Sequence, residues 1–249
     1  MIELQNLNKI YNGGLANQVI AIQNLSLTIH KNDFVVIVGA NGSGKSTLLN
    51  LISGNVMPTN GKICIDNKEV TRLPDFKRSL AIARVFQNPY SGTAADLSIL
   101  DNFRLAALRT QSKTLKIGVN PNFKNKVAKQ VAQLGMGLED KLDQQMGSLS
   151  GGQRQALTLL MAVMDDLKIL LLDEPTAALD PRSAWVVMQL ANQLTQQFKL
   201  CTILITHNLK EAFTQGNRII QMAEGKIIKD LDTNFKNKLT QNEIFNWFS

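Results

Sequence analysis

Phe34-Val35-Val36-Ile37-Val38-Gly39-Ala40-Asn41-Gly42-Ser43-Gly44-Lys45-Ser46-Thr47 is the stretch that decides the fold. Five apolar residues without alternation mark a parallel strand covered on both faces. A glycine-rich loop follows, then a helix through Leu48, Leu49 and Ile52 that stops at Gly54. Gly39-x-x-x-x-Gly44-Lys45-Ser46 is the P-loop pattern in the strand–loop–helix setting it requires. A helix start offers unpaired N–H groups and a partial positive charge. The loop, with Gly39, Asn41, Gly42, Ser43, Gly44 and Thr47, is therefore expected to wrap the phosphates of a nucleotide. Lys45 neutralises the β and γ oxygens in this reading, and Ser46 ligates Mg²⁺. The pattern alone serves kinases, GTPases and ATPases alike.

Two more continuous apolar runs, Ile169-Leu170-Leu171-Leu172 and Cys201-Thr202-Ile203-Leu204-Ile205, predict further parallel strands. The first ends in Asp173-Glu174, at the sheet edge where an open α/β sheet meets its ligand. Beside a P-loop, Asp173 is expected to hold Mg²⁺ through its water shell, and Glu174 to orient or deprotonate the attacking water. Alone, such a pair reads as an ordinary first helical turn. The second run ends in Thr206-His207, which brings an imidazole to the same edge, near the γ-phosphate. Gln87 closes the run Ile82-Ala83-Arg84-Val85-Phe86 and, taken alone, is only a strand end.

Residues 1–29 alternate apolar and polar side chains, as in Ile20-Ala21-Ile22-Gln23-Asn24-Leu25-Ser26-Leu27, and read as half-buried antiparallel strands. The turn Asn60-Gly61 starts another. Between about 98 and 164 helical patterns replace strands, with Leu97, Leu100, Leu105 and Leu108 in the first and Val127, Val131 and Leu134 in a later one, which reads as a helical insert within an α/β core. Asp180 as N-cap and Pro181 at the first helical position open a helix through Val186, Val187, Leu190 and Leu194.

The chain has 249 residues, 44% of them hydrophobic, and a formal charge of +7, which suits a folded core and an anionic partner but specifies no chemistry. Its densest basic stretch, Lys113, Lys116, Lys124, Lys126 and Lys129 after Arg104 and Arg109, lacks interleaved aromatics and reads as a solvated helical face. Cys64 and Cys201 both sit in strand-like runs and act as small hydrophobes, which makes a reducing cytosolic setting the default. The start, Met1-Ile2-Glu3-Leu4-Gln5, does not read as a leader, and no apolar stretch approaches the ~18 residues of a bilayer span.

Leu149-Ser150-Gly151-Gly152-Gln153 is a second glycine-rich helix start. Ser150 and Gln153 form a capping-box pattern, whereas two adjacent glycines cost ~1 kcal/mol each in a helix. Read alone, it is either a plain cap or a point of close approach by another molecule.

Together these residues resemble an ATP-binding-cassette ATPase, the nucleotide-hydrolysing subunit of membrane transporters, over nearly the whole chain. Residues 39–46 match its Walker A loop, Leu149–Gln153 its signature, Asp173-Glu174 the end of its Walker B strand, and Ala178-Leu179-Asp180 its D-loop. Gln87 matches the Q-loop glutamine, His207 the switch histidine, and Tyr11 the aromatic residue that stacks on adenine; the long connection Asn12–Val19 follows it.

The resemblance implies a P-loop NTPase, RecA-like α/β core with an N-terminal antiparallel β-subdomain. A helical signature subdomain of about 88–164 is inserted in it, all within one domain, 1–249. It implies ATP and Mg²⁺, with Ser46, Gln87 and Asp173 toward the metal. It further implies two subunits packed head to tail, so that Ser150, Gly151, Gly152 and Gln153 of one cap the γ-phosphate held by the other. An importer subunit at the cytoplasmic face of the inner membrane is expected. Its partners are a separate permease and, indirectly, a solute-binding protein of an amino-acid or tryptophan-type uptake system, with no nucleic acid. The alternative is a soluble cassette ATPase that drives assembly of a non-membrane complex, as in iron–sulfur cluster assembly.

Overall fold

The computed structural model describes residues 1–109 and 118–247; Lys113 and Lys116 lie outside the described residues. The chain runs β1 (Ile2–Tyr11), β2 (Val19–Ile29), β3 (Phe34–Val38), α1 (Lys45–Ser53), β4 (Asn60–Ile65), β5 (Lys68–Glu69), α2 (Asp75–Arg78) and β6 (Ile82–Val85). It continues through α3 (Ile99–Ala107), α4 (Pro121–Ala132), α5 (Gly151–Ala162), β7 (Ile169–Asp173), α6 (Pro181–Phe198) and β8 (Cys201–Ile205). Last come α7 (Leu209–Thr214), β9 (Arg218–Ala223), β10 (Lys226–Leu231), α8 (Thr233–Lys236) and α9 (Gln241–Phe245).

The three continuous apolar runs are β3, β7 and β8, which lie in a six-stranded sheet of order β10-β9-β3-β8-β7-β6. They pair in parallel, Val35 with Ile203 and Leu171 with Ile203 among the partners. Their burial shows why the runs do not alternate. Val36, Val38, Leu170, Leu172 and Leu204 face one apolar core with α3 to α6, while Val35, Ile37, Ile169, Leu171, Ile203 and Ile205 face another with α1, β1, β2 and β4. The alternating segments form the second sheet, four antiparallel strands of order β2-β1-β4-β5.

Helices α3, α4 and α5 all lie between β6 and β7. The first helical pattern is α3, and the structure gives its limits and its buried side. Ser98 caps the helix, so Leu97 precedes it, and the buried side is Ile99, Leu100, Phe103 and Ala107. Leu97 and Leu105 are 39% and 52% exposed. On α4, Val127 and Val131 are fully buried while Lys124, Lys126 and Lys129 face solvent. Asp180 caps α6 as expected, its Oδ1 accepting from the N–H groups of Arg182 and Ser183 at 3.0 Å each. Among the described residues no helix is long and apolar enough to cross a membrane.

Candidate functional site

Parallel β3 and β8, with β7 beside β8, deliver three loops to one edge of the large sheet, and the β1–β2 hairpin approaches from the small one. Tyr11 pairs directly with Val19, so the long connection Asn12–Val19 closes a hairpin and leaves both side chains at the site. A cleft of about 310 Å³ results, lined by Tyr11, Val19, Ala21, Asn41, Gly42, Gly44, Lys45, Ser46, Thr47, Glu174 and His207. Four segments far apart in sequence thus meet, two of them expected to bind a nucleotide and two to act on it.

The loop before α1 is fixed by its own backbone. Gly44 has φ 99°, and a Cβ there would lie 2.5 Å from the Ala21 carbonyl oxygen, so only glycine fits. The turn after β9 braces the loop through the Gly225 N–H, which donates to Ser43 O at 3.1 Å. Lys45 is 5% exposed, and its Nζ donates to Gly39 O at 2.7 Å, Ala40 O at 2.9 Å and Ser43 Oγ at 3.4 Å. Burial lowers its pKa, and the nearby Glu174 and Asp173 partly oppose the shift.

Glu174 follows β7 with φ 50°, a left-handed conformation that costs a side-chain-bearing residue ~1–2 kcal/mol. Its N–H donates to Ile205 O at 3.0 Å, and its Oε1 lies 2.5 Å from His207 Nε2. The expected pair is therefore in contact across the ends of β7 and β8, with the imidazole 41% exposed and the carboxyl group 16%.

Asp173 sits one residue earlier, where Arg84 Nη2 donates to its Oδ2 at 2.5 Å and Arg84 Nη1 donates to Asn50 Oδ1 at 2.5 Å. Arg84 was not singled out in the sequence, although a charged residue inside the otherwise apolar strand β6 was a usable signal. Gln87 is exposed, two residues past β6, and does not line the cleft. Ser46 and Asp173 offer hard oxygen donors, and among the described residues no group of three His, Cys, Asp or Glu side chains could hold a metal alone. Such a set fits Mg²⁺, which keeps several waters and takes one or two protein ligands beside substrate phosphates.

The helix start at Leu149–Gln153 carries the full capping box. Gln153 N–H donates to Ser150 Oγ at 3.3 Å, and Ser150 N–H to Gln153 Oε1 at 3.1 Å. None of Ser150, Gly151, Gly152 or Gln153 lines the cleft of its own chain. The glycines have different surroundings. A Cβ on Gly151 would meet only the ends of Leu179 and Pro89, at 3.3 and 3.4 Å, whereas one on Gly152 would lie 2.4 Å from both Cβ and Oγ of Ser183. Gly152 is thus required by the close crossing of α5 and α6 within this chain. Close approach within this chain is therefore one reason for Gly152, whereas nothing inside the chain demands Gly151. One turn on, Gln155 is 1% exposed and donates through Nε2 to Phe86 O at 2.8 Å and Pro175 O at 3.0 Å. That single amide links the residue before Gln87 to the residue after Glu174.

Residues 22–177 match the model of the protein family described as "ABC transporter". The chain is 36% identical over 248 residues to a tyrosine transport ATP-binding protein of Clostridioides difficile, covering 100% of this chain and 98% of the relative. It is 32% identical over 256 residues to a methionine import ATP-binding protein of Bacillus cereus, covering 98% of this chain and 71% of the relative. Among solved structures, a dimeric ATP-binding cassette in a post-hydrolysis state bound to ADP and Pi superposes with a TM-score of 0.79 at 29% identity, covering 94% of this chain and 99% of that one.

Proposed function

The chain belongs to the ABC transporter family, and we propose that its cleft holds ATP with the adenine on Tyr11 and the triphosphate on residues 39–47, next to Glu174 and His207. It is an ATP-binding, ATP-hydrolysing subunit of the importer type, as its tyrosine-transport and methionine-import relatives are ATP-binding proteins. In our reading it is a single domain, 1–249, whose helical part spans about 88–164.

The observation that carries the site is the convergence of Tyr11, the loop before α1, Glu174 and His207 on one cleft. Lys45 exchanges its loop carbonyls for β and γ oxygens and offsets the charge that grows on them during in-line attack. Glu174, held by His207 through Oε1, keeps Oε2 to orient and deprotonate the attacking water. Ser46 and Asp173 would hold Mg²⁺, which would supply charge neutralisation on the phosphates, and Gln87, which stands outside the cleft of this chain, would have to move inward to join them. A second copy of this subunit, packed head to tail, brings Ser150, Gly151, Gly152 and Gln153 to the γ-phosphate, which is consistent with their lying away from the cleft of their own chain.

A groove of about 540 Å³ runs beside Phe86, between α2 and α3, and includes Phe76 and Leu105. These two are 66% and 52% exposed. We assign it to a cytoplasmic segment of the permease, and the Gln155 amide supports a link from there to the Glu174 loop. The subunit then sits on the cytoplasmic face of the plasma membrane, and the transported solute is an amino acid delivered by a solute-binding protein. Glu174→Gln tests the chemistry: ATP binding stays within a few-fold of wild type while turnover falls about 10²–10³-fold and a nucleotide-bound dimer accumulates. Near-normal hydrolysis removes Glu174 from its role.

A further inference from the structure

We infer that Glu211 is a positioning residue that stitches the Glu174 loop to the His207 loop and so fixes the two groups against each other. The inference rests on the reading of Glu174 and His207 as the hydrolytic pair.

Glu211 lies in the first turn of α7 and is 6% exposed. Its Oε1 accepts from Thr176 Oγ1 at 2.6 Å and its Oε2 accepts from Thr206 Oγ1 at 2.5 Å. Thr176 stands two residues after Glu174, and Thr206 directly precedes His207; the two threonines are 8% and 2% exposed. One oxygen thus holds each loop. Among the described residues no ion pair involves Glu211. Burying a carboxyl group without a cation is unfavourable unless its oxygens are hydrogen-bonded, so its presence calls for a reason.

Helix capping is not that reason. Asn208 Oδ1 already accepts from the N–H groups of Lys210 and Glu211, at 2.9 and 3.2 Å. The sheet does not supply the link either. β7 and β8 are paired up to Asp173 and Ile205, and the Glu174 N–H to Ile205 O bond is the last between them. Beyond it the loops carry Glu174 in a left-handed conformation and His207 at a largely open position. Apart from the Glu174–His207 contact itself, the Glu211 carboxyl group is the crosslink that follows, and it closes a short ring through Thr176, Glu174, His207 and Thr206. Loss of it lets the loops part by a fraction of an ångström, enough to misplace a base relative to its water.

The test compares Glu211→Ala, Glu211→Gln and Thr176→Val in steady-state ATP hydrolysis, alone and with His207→Ala. The expected result is a fall in kcat of about tenfold for Glu211→Ala and Thr176→Val, with KM for ATP within about twofold. Glu211→Gln, whose amide can accept from one hydroxyl and donate to the other, restores most of the rate. In the His207→Ala background, Glu211→Ala has almost no further effect, because the pair it positions is already broken. A wild-type kcat for Glu211→Ala and Thr176→Val, failure of Glu211→Gln to restore the rate, or full multiplicative loss in the double variant overturns the inference. Thr176→Val, nearly isosteric, decides if Glu211→Ala does not fold. If His207→Ala itself runs at the wild-type rate, the assignment of His207 fails separately, and Glu211 is judged on the two single-variant kcat values.

Discussion

Gly152→Ala should destabilise the chain although alanine favours a helix. The new Cβ would stand 2.4 Å from Ser183 Cβ and 2.4 Å from Ser183 Oγ. A rotamer change moves the hydroxyl but not the Cβ, so α5 and α6 must separate by about 1 Å or more to reach ordinary contact. Overpacking of this kind costs ~1–3 kcal/mol, and the rigid contact places it near the top of that range. Replacing glycine in a helix returns ~1 kcal/mol. The net is about 2 kcal/mol, a fall of roughly 4–8 °C in melting temperature for a chain of this size. Thermal unfolding followed by circular dichroism measures it without reference to activity. Gly151→Ala is the control, since its Cβ meets only side-chain ends at 3.3 and 3.4 Å and should melt within about 2 °C of wild type. Ser183→Gly in the Gly152→Ala background removes both clashing atoms and should recover most of the loss. An alanine at 152 that melts at or above wild type, or an equal fall for both glycines, refutes the intramolecular reason for Gly152.

Two further outcomes follow from the same geometry. Ser150→Arg puts a bulky cation at the exposed helix start, outside the cleft of its own chain. It should leave nucleotide binding by one subunit intact while abolishing the ATP-dependent dimer in light scattering; an unchanged dimer counts against a site shared between subunits. Lys236 is 5% exposed, donates to the Gln215 and Gly216 carbonyls, and is pushed by burial from the ordinary 10.5 down to about 8. Between these values the unfolded chain holds a proton that the folded chain has lost, so stability relative to Lys236→Met should rise from pH 8 to pH 10.5 and stay level below pH 8. A difference in melting temperature that is flat or shrinks over that window contradicts the assignment.

What the sequence made legible was local. The P-loop, the Ser150 capping box, the Asp180 cap and the three unbroken apolar strands each need only a few neighbouring residues to define them, and all stand where expected. Periodicity did not single out the buried face of α3, where Leu97 and Leu105 continued the apolar pattern but Leu105 faces the groove beside Phe86. Leucines that cover a groove and leucines that fill a core carry the same signal. The remaining omissions are long-range. Arg84 meets Asp173 across 89 positions, Thr176 meets Glu211 across 35, and Gly152 meets Ser183 through a helix crossing that no spacing encodes.

Every charged group expected to meet ATP already has a partner inside the chain. Lys45 is bonded to its own loop carbonyls, Asp173 to Arg84, and Glu174 to His207. On the proposed reading nucleotide binding at this site is an exchange of hydrogen bonds, with a free energy smaller than the sum of the contacts formed. The three exchanges are not equivalent. Phosphate oxygens carry more charge than the carbonyls they replace on Lys45, and that charge opposes the burial that lowers its pKa, so this exchange favours binding. Asp173 would give up or share the Arg84 guanidinium only if another cation, such as a substrate-borne Mg²⁺, compensated it. The Glu174–His207 contact involves the most exposed of these groups, the imidazole. It can stay intact through binding and orient the base for hydrolysis. On the proposed reading the triphosphate would engage Lys45 first, a metal would compensate Asp173 with it, and the Glu174 carboxyl group would act only once a second subunit encloses its water.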